Sequence, residues 1–148
     1  MELGNAIGAA LTRIVADGFL LRFQTEAALW NDNKTHMEIV ALLERSKALL
    51  DQLIQAVVQR VQTLGATSPH SLRQLLALSS LTDNGITASW DVSSIVLERG
   101  YLTLIESCRM VTMLARESHD AATEFLMAAR IAQLEEFTWR LRDLAQQA

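Results

Sequence analysis

Apolar residues recur at steps of three and four along most of the chain, the pattern of helices that bury one face. Ile7, Leu11, Ile14, Gly18 and Leu21 form the first such stripe and predict a helix from about Asn5 to Trp30. Asn31-Asp32-Asn33 should end it, because these side chains bond their own backbone in turns. The second stripe is the most regular: Ile39, Leu42, Ser46, Leu50, Leu53, Val57 and Leu64. Thr35 and Glu38 have the spacing of a capping box at its start. Gly65 suits a left-handed cap at its end. Leu97, Tyr101, Leu104, Cys108, Val111 and Ala115 mark a third helix from about Asp91 to Glu117, with Gly100 as a local weak point. Ser118-His119-Asp120 supplies a break and an N-cap. Met127, Ile131, Leu134, Leu141 and Leu144 carry a fourth helix toward the end of the chain.

The link from Gly65 to about Ser89 changes the picture from a plain hairpin bundle. Pro69 and Asp83-Asn84-Gly85 are turn signals, and Leu72 to Leu78 reads as a short extra helix. A link of this length lets the second and third long helices lie apart in a four-helix bundle with a long crossover. The fold class expected is therefore all-α, as one domain over residues 1–148. Composition agrees: half of the 148 residues are hydrophobic, with one proline and six glycines.

Charge narrows the partners. The formal net charge of −4 gives no general attraction to DNA or an anionic membrane. No Lys or Arg precedes Arg13, and Ala145-Gln146-Gln147-Ala148 brings no cation to phosphate. DNA binding is not expected, and no apolar stretch is long enough for a membrane span. A single cysteine, Cys108, excludes an intrachain disulfide framework and fits a reducing compartment. Met1-Glu2-Leu3 lacks the basic start of a signal peptide, so the expected location is cytoplasmic.

Little catalytic chemistry is written in recognisable form. A di-iron centre inside a bundle needs Glu-x-x-His pairs. The residues three before His36, His70 and His119 are Asn33, Thr67 and Arg116. His36 and His119 read as exposed residues near helix ends, and Cys108 as a small buried one. Trp30, Trp90 and Trp139 read as core or interface anchors. No glycine-rich phosphate loop or serine-protease-type signature is present.

Three ordered stretches carry a resemblance. They are Ala16-Asp17-Gly18-Phe19 through Leu29-Trp30-Asn31, then Gln59-Arg60-Val61-Gln62-Thr63-Leu64-Gly65, then Asp120-Ala121-Ala122-Thr123-Glu124 through Glu135-Glu136-Phe137-Thr138-Trp139. Together they resemble the Dps family of small, cage-forming ferritins over nearly the whole chain. The resemblance implies a ferritin-like four-helix bundle, assembled as a homo-oligomeric, dodecameric cage. It also implies an iron-oxidising site shared across a two-fold interface. The ligand positions implied are Leu29, Val40 and Glu44 from one subunit, with Gln55 and Gln59 from its partner. Fe²⁺ favours imidazole and carboxylate ligands, and only Glu44 is of that kind. A register one residue later reads Ala41, Arg45, Ala56 and Arg60, which is poorer still.

The expectation is a stress-protection or iron-storage shell without a working ferroxidase centre. No catalytic, metal or cofactor residue is assigned, and iron enters only as stored cargo. Co-assembly with an active homologue fits the same pattern. Two alternatives stay open: a relocated inter-subunit site using Glu44 with Glu26, Glu38, Asp51 and His36, and a dimeric interaction protein without a cage. Asp120 and Glu124 lie near acids that line a cation pore in the family. At a helix N-terminus they equally complement the dipole.

Overall fold

A computed structural model of the chain describes residues 2–31, 37–83, 85 and 90–147. The helices are α1 (Glu2–Asn31), α2 (Met37–Thr63), α3 (Leu72–Leu78), α4 (Trp90–Glu117) and α5 (Ala121–Gln147). Among the described residues all regular structure is helical, as the periodicity predicts. α1 starts at Glu2, earlier than the expected Asn5. Gly4 is the only poor helix former there, and its cost of about 1 kcal/mol is small beside the burial that holds a long helix. The expected turn at Asn31-Asp32-Asn33, the Thr35 cap, His36 and Asn84 lie wholly or partly outside the described residues.

α1 packs on α2 and α4, while α5 packs on α4 and α2. The α2 and α4 backbones do not approach each other among the described residues, so the two helices stand diagonally across the bundle. The chain must cross that diagonal between them, which accounts for the long link. α3 lies within the link and rests on α1. Its N-cap is Ser71, whose hydroxyl accepts from the Gln74 N–H at 3.1 Å.

The stripes read from the sequence become one core. Leu11, Leu43, Leu50, Leu53, Leu97, Leu104, Met127 and Leu134 are fully buried within it. Tyr101 of α4 sits where all four long helices meet. Its ring packs against Phe137 of α5, with centroids 4.4 Å apart. Its hydroxyl hydrogen-bonds to Ser46 of α2 and lies 3.5 Å from the Thr25 hydroxyl of α1. A buried hydroxyl needs such partners, and these tie the helices to one register.

Two backbone features differ in how the sequence announces them. Gly65 adopts φ +76 and closes α2, as expected. The Ala66 N–H reaches the Val61 carbonyl and the Gly65 N–H reaches that of Gln62, both at 3.0 Å, which is a Schellman closure. Gly100 is more than a weak point in α4. A Cβ there would stand 2.7 Å from Leu21 Cδ1, so the missing side chain is what lets α4 approach α1. At the end of α4, His119 holds the left-handed conformation at φ 59, and the Asp120 N–H bonds the Ala115 carbonyl at 2.8 Å.

Asp17 fastens the link to α1. Its Oδ1 accepts from the Ser79 hydroxyl at 2.8 Å and from the Ser80 N–H at 2.6 Å. Its other oxygen is buried without a hydrogen-bond partner. Burial pushes this carboxyl above the usual range, against the hydrogen bonds from Ser79 and Ser80.

Candidate metal seam between α1 and α2

The end of α1 and the start of α2 flank an open cavity of about 600 Å³. Leu29, Val40 and Glu44 all line it, so three of the five implied ligand positions converge here within one chain. Glu26 and Lys47 complete its polar side, and Trp30, Met37 and Ala41 add apolar surface. One helical turn separates Glu26 from Leu29 on α1, and Val40, Glu44 and Lys47 on α2, which places them on facing sides of the pair. Gln55 and Gln59 lie further along α2, exposed to solvent, and do not line this cavity.

The polar side is organised around a cation. Lys47 Nζ lies 2.6 Å from a Glu26 oxygen and 3.2 Å from a Glu44 oxygen. Lys47 is mostly sheltered, its side chain 19% exposed. The hydrogen bond to Glu26 raises its pKa, against a smaller opposing effect of burial, so the ammonium stays charged. Sequence reasoning missed Lys47. A faint signal was available in the i, i+3 spacing of Glu44 and Lys47, but Glu26 joins only through the fold.

The relocated set considered from sequence does not assemble as a group. Glu26 and Glu44 come together, with Lys47 between them. Asp51 pairs instead with Arg22 at 2.5 Å. Glu38 lines a separate groove with Arg45 and Arg140, and His36 lies outside the described residues. Among the described residues no group of three or more His, Cys, Asp or Glu side chains is placed to hold a metal ion. Of the implied positions that line the cavity, Leu29 and Val40 are hydrocarbon, and the single Lys47 ammonium offsets one of the two negative charges of Glu44 and its neighbour Glu26.

Asp120 and Glu124 are occupied within the chain. Asp120 caps α5, accepting from the Thr123 N–H at 3.1 Å, and it receives the Arg60 guanidinium at 2.7 Å. Arg60 also donates to the Thr123 hydroxyl at 2.9 Å, so α2 is tied to the start of α5. Burial alone would raise the Asp120 pKa, but the Thr123 hydrogen bonds and the Arg60 charge outweigh it and hold the carboxyl below its usual range. Glu124 pairs with Arg116 at 2.8 Å. Cys108 is buried, as expected, and burial together with the nearby Asp17 charge pushes its thiol up to about 12. That removes the thiolate a nucleophile needs.

The bundle matches the Dps protein of Vibrio cholerae O1, a member of the superfamily of ferritin-like diiron-carboxylate proteins. The TM-score is 0.91, over 97% of this chain and 91% of that one, at 24% identity. The chain has the Dps fold. Antigen TpF1 of Treponema pallidum gives the same TM-score of 0.91 at 22% identity, covering 98% of this chain and 94% of its own. A Dps protein of Bacillus brevis gives 0.88 at 20% identity, with 97% of each chain covered. No family model and no curated protein sequence matches the chain. On this Dps fold, α3 is the short helix of the crossover, and the Glu26–Lys47–Glu44 cluster lies at the open face of the α1–α2 pair. Among the described residues no helix is long and apolar enough to cross a membrane.

Proposed function

We propose that the chain is a divergent member of the Dps family whose interface iron position has become a packing seam. It assembles as a cytoplasmic, dodecameric homo-oligomeric shell that stores or shields cargo and does not itself oxidise iron. The observation that carries this reading is hydrocarbon at Leu29 and Val40 beside a Lys47 ammonium already seated on Glu26 and Glu44. Across the two-fold interface, Gln55 and Gln59 of the next chain would face this cavity with neutral amides. Glutamine keeps the shape of glutamate without its charge, and leucine and valine fill imidazole volume with apolar surface. The seam therefore avoids the like-charge repulsion and desolvation that a carboxylate cluster without metal would suffer.

An exposed apolar face supports assembly. Phe19, Phe23 and Trp30 of α1 and Leu72 and Leu76 of α3 all stand exposed on the single chain. Covering them removes the exposed apolar surface that marks an interaction site. In the shell, Asp120 and Glu124 line the pore region, their charges tempered by Arg60 and Arg116. Iron is cargo in this scheme, and an active homologue in the same shell would supply the oxidation. The chain's acidic balance disfavours DNA as a partner.

The test is Fe²⁺ added without oxygen to the assembled protein, followed by oxygen or peroxide, with oxidation followed optically. The expected rate equals that of buffer alone. A saturable catalytic rate overturns the proposal in favour of a relocated ferroxidase site. A particle of about two chains by light scattering overturns the shell and leaves an isologous dimer.

A further inference from the structure

The cavity holds two carboxylates that converge on one point, and a side chain of the same protein fills that point. We propose that Lys47 is a tethered cation that stands in for a divalent metal ion and keeps such ions out of the α1–α2 cavity. This deepens the reading above, and rests on it only in taking the cavity to be free of iron chemistry; the geometry itself belongs to one chain.

Because one ammonium touches both Glu26, at 2.6 Å, and Glu44, at 3.2 Å, their oxygens already face a common centre. Hard divalent cations and Zn²⁺ take carboxylate oxygens in such arrangements. Unlike a free ion, the ammonium cannot diffuse away. Its four-carbon stem descends from α2 in the same helix as Glu44, so its local concentration at the two acids is set by the fold rather than by the medium. An entering ion must expel a charged group whose side chain is only 19% exposed and already holds both acids. It would gain two carboxylates in return, with Leu29 and Val40 offering no further donor. The exchange is unfavourable as long as Lys47 is present. Removing the ammonium reverses the balance: Glu26 and Glu44 then face each other across a partly apolar cavity, and a cation relieves their repulsion.

The experiment is calorimetric titration of the full chain with Zn²⁺ alone. Wild type is expected to show no saturable uptake that depends on Glu26. Lys47→Met and Lys47→Gln are expected to gain a site of one Zn²⁺ per chain, at least tenfold tighter than any wild-type uptake. Glu26→Gln added to either variant should abolish that site, which separates it from histidine binding elsewhere. Lys47→Arg retains a cation and should behave as wild type. Glu26-dependent Zn²⁺ uptake by wild type would overturn the proposal whatever the variants do. Folded neutral variants that gain no site would overturn it as well. Zn²⁺ is not oxidised, so these outcomes stand apart from the Fe²⁺ assay. Catalytic iron oxidation by wild type without Zn²⁺ uptake at Glu26 would end the proposed function and leave the tethered cation intact.

Discussion

Replacing Tyr101 with alanine is expected to lower the stability of the folded chain by about 3–5 kcal/mol, the range for removing a large buried aromatic. Tyr101 is fully buried. Its ring is packed on Phe137 with an interplanar angle of 46°, so truncation loses an aromatic contact as well as leaving a cavity. Its hydroxyl meets Ser46 and Thr25, and both partners are themselves buried. Thr25 retains its bond to the Leu21 carbonyl at 2.8 Å, but Ser46 is left beside a void. Tyr101→Phe separates the two contributions: it keeps the ring and should cost only about 1–2 kcal/mol. Urea unfolding followed by circular dichroism reads both. A loss below about 1 kcal/mol for Tyr101→Ala would mean that the four helices do not depend on this contact, against the usual scale for such sites.

Phe23→Arg should leave the single chain folded and break the assembly. Phe23 is 48% exposed and meets Trp30 edge-to-face, with ring centroids 6.1 Å apart, on the face that includes α3. The substitution therefore removes little from the core. In a two-fold interface each change counts twice, because the same patch serves both subunits. About half of Phe23 is still exposed on the single chain, so losing the burial of that half twice amounts to about 1.5–3 kcal/mol, before any cost of covering a guanidinium. That alone corresponds to a dissociation constant weaker by about 10–150-fold, and the buried guanidinium adds to it. Sedimentation at micromolar concentration should show the wild type as a large particle and Phe23→Arg mostly as single chains with unchanged helicity. An unchanged particle mass would place the interface elsewhere on the molecule.

The helices were legible because burial on one face leaves a period in the sequence. Ile7 to Leu21, Ile39 to Val57 and Leu97 to Ala115 all enter the core on the faces their spacing indicates. Gly65 and the Leu72–Leu78 helix were legible for a local reason, since caps and turns are encoded by neighbouring residues. Contacts between distant segments were not. Gly100 reads as a helix weakness until Leu21 is seen pressed against it. Asp17 looks like an ordinary helix residue until Ser79 and Ser80 arrive from a segment far along the chain. Lys47 shows the same limit at the candidate site. Leu29, Val40 and Glu44 could be picked out by resemblance, because that compares position with position. The cation that occupies the site is recognisable only once Glu26 of α1 has been folded against it.

A metal position turned into a packing seam is tested most directly by diffraction at the iron absorption edge, from crystals of the assembled protein soaked in Fe²⁺. No anomalous peak is expected beside Leu29, Val40 and Glu44, and Lys47 should remain seated between Glu26 and Glu44. An iron peak there, with Lys47 swung away and carboxylates of either subunit closed around the ion, would contradict it.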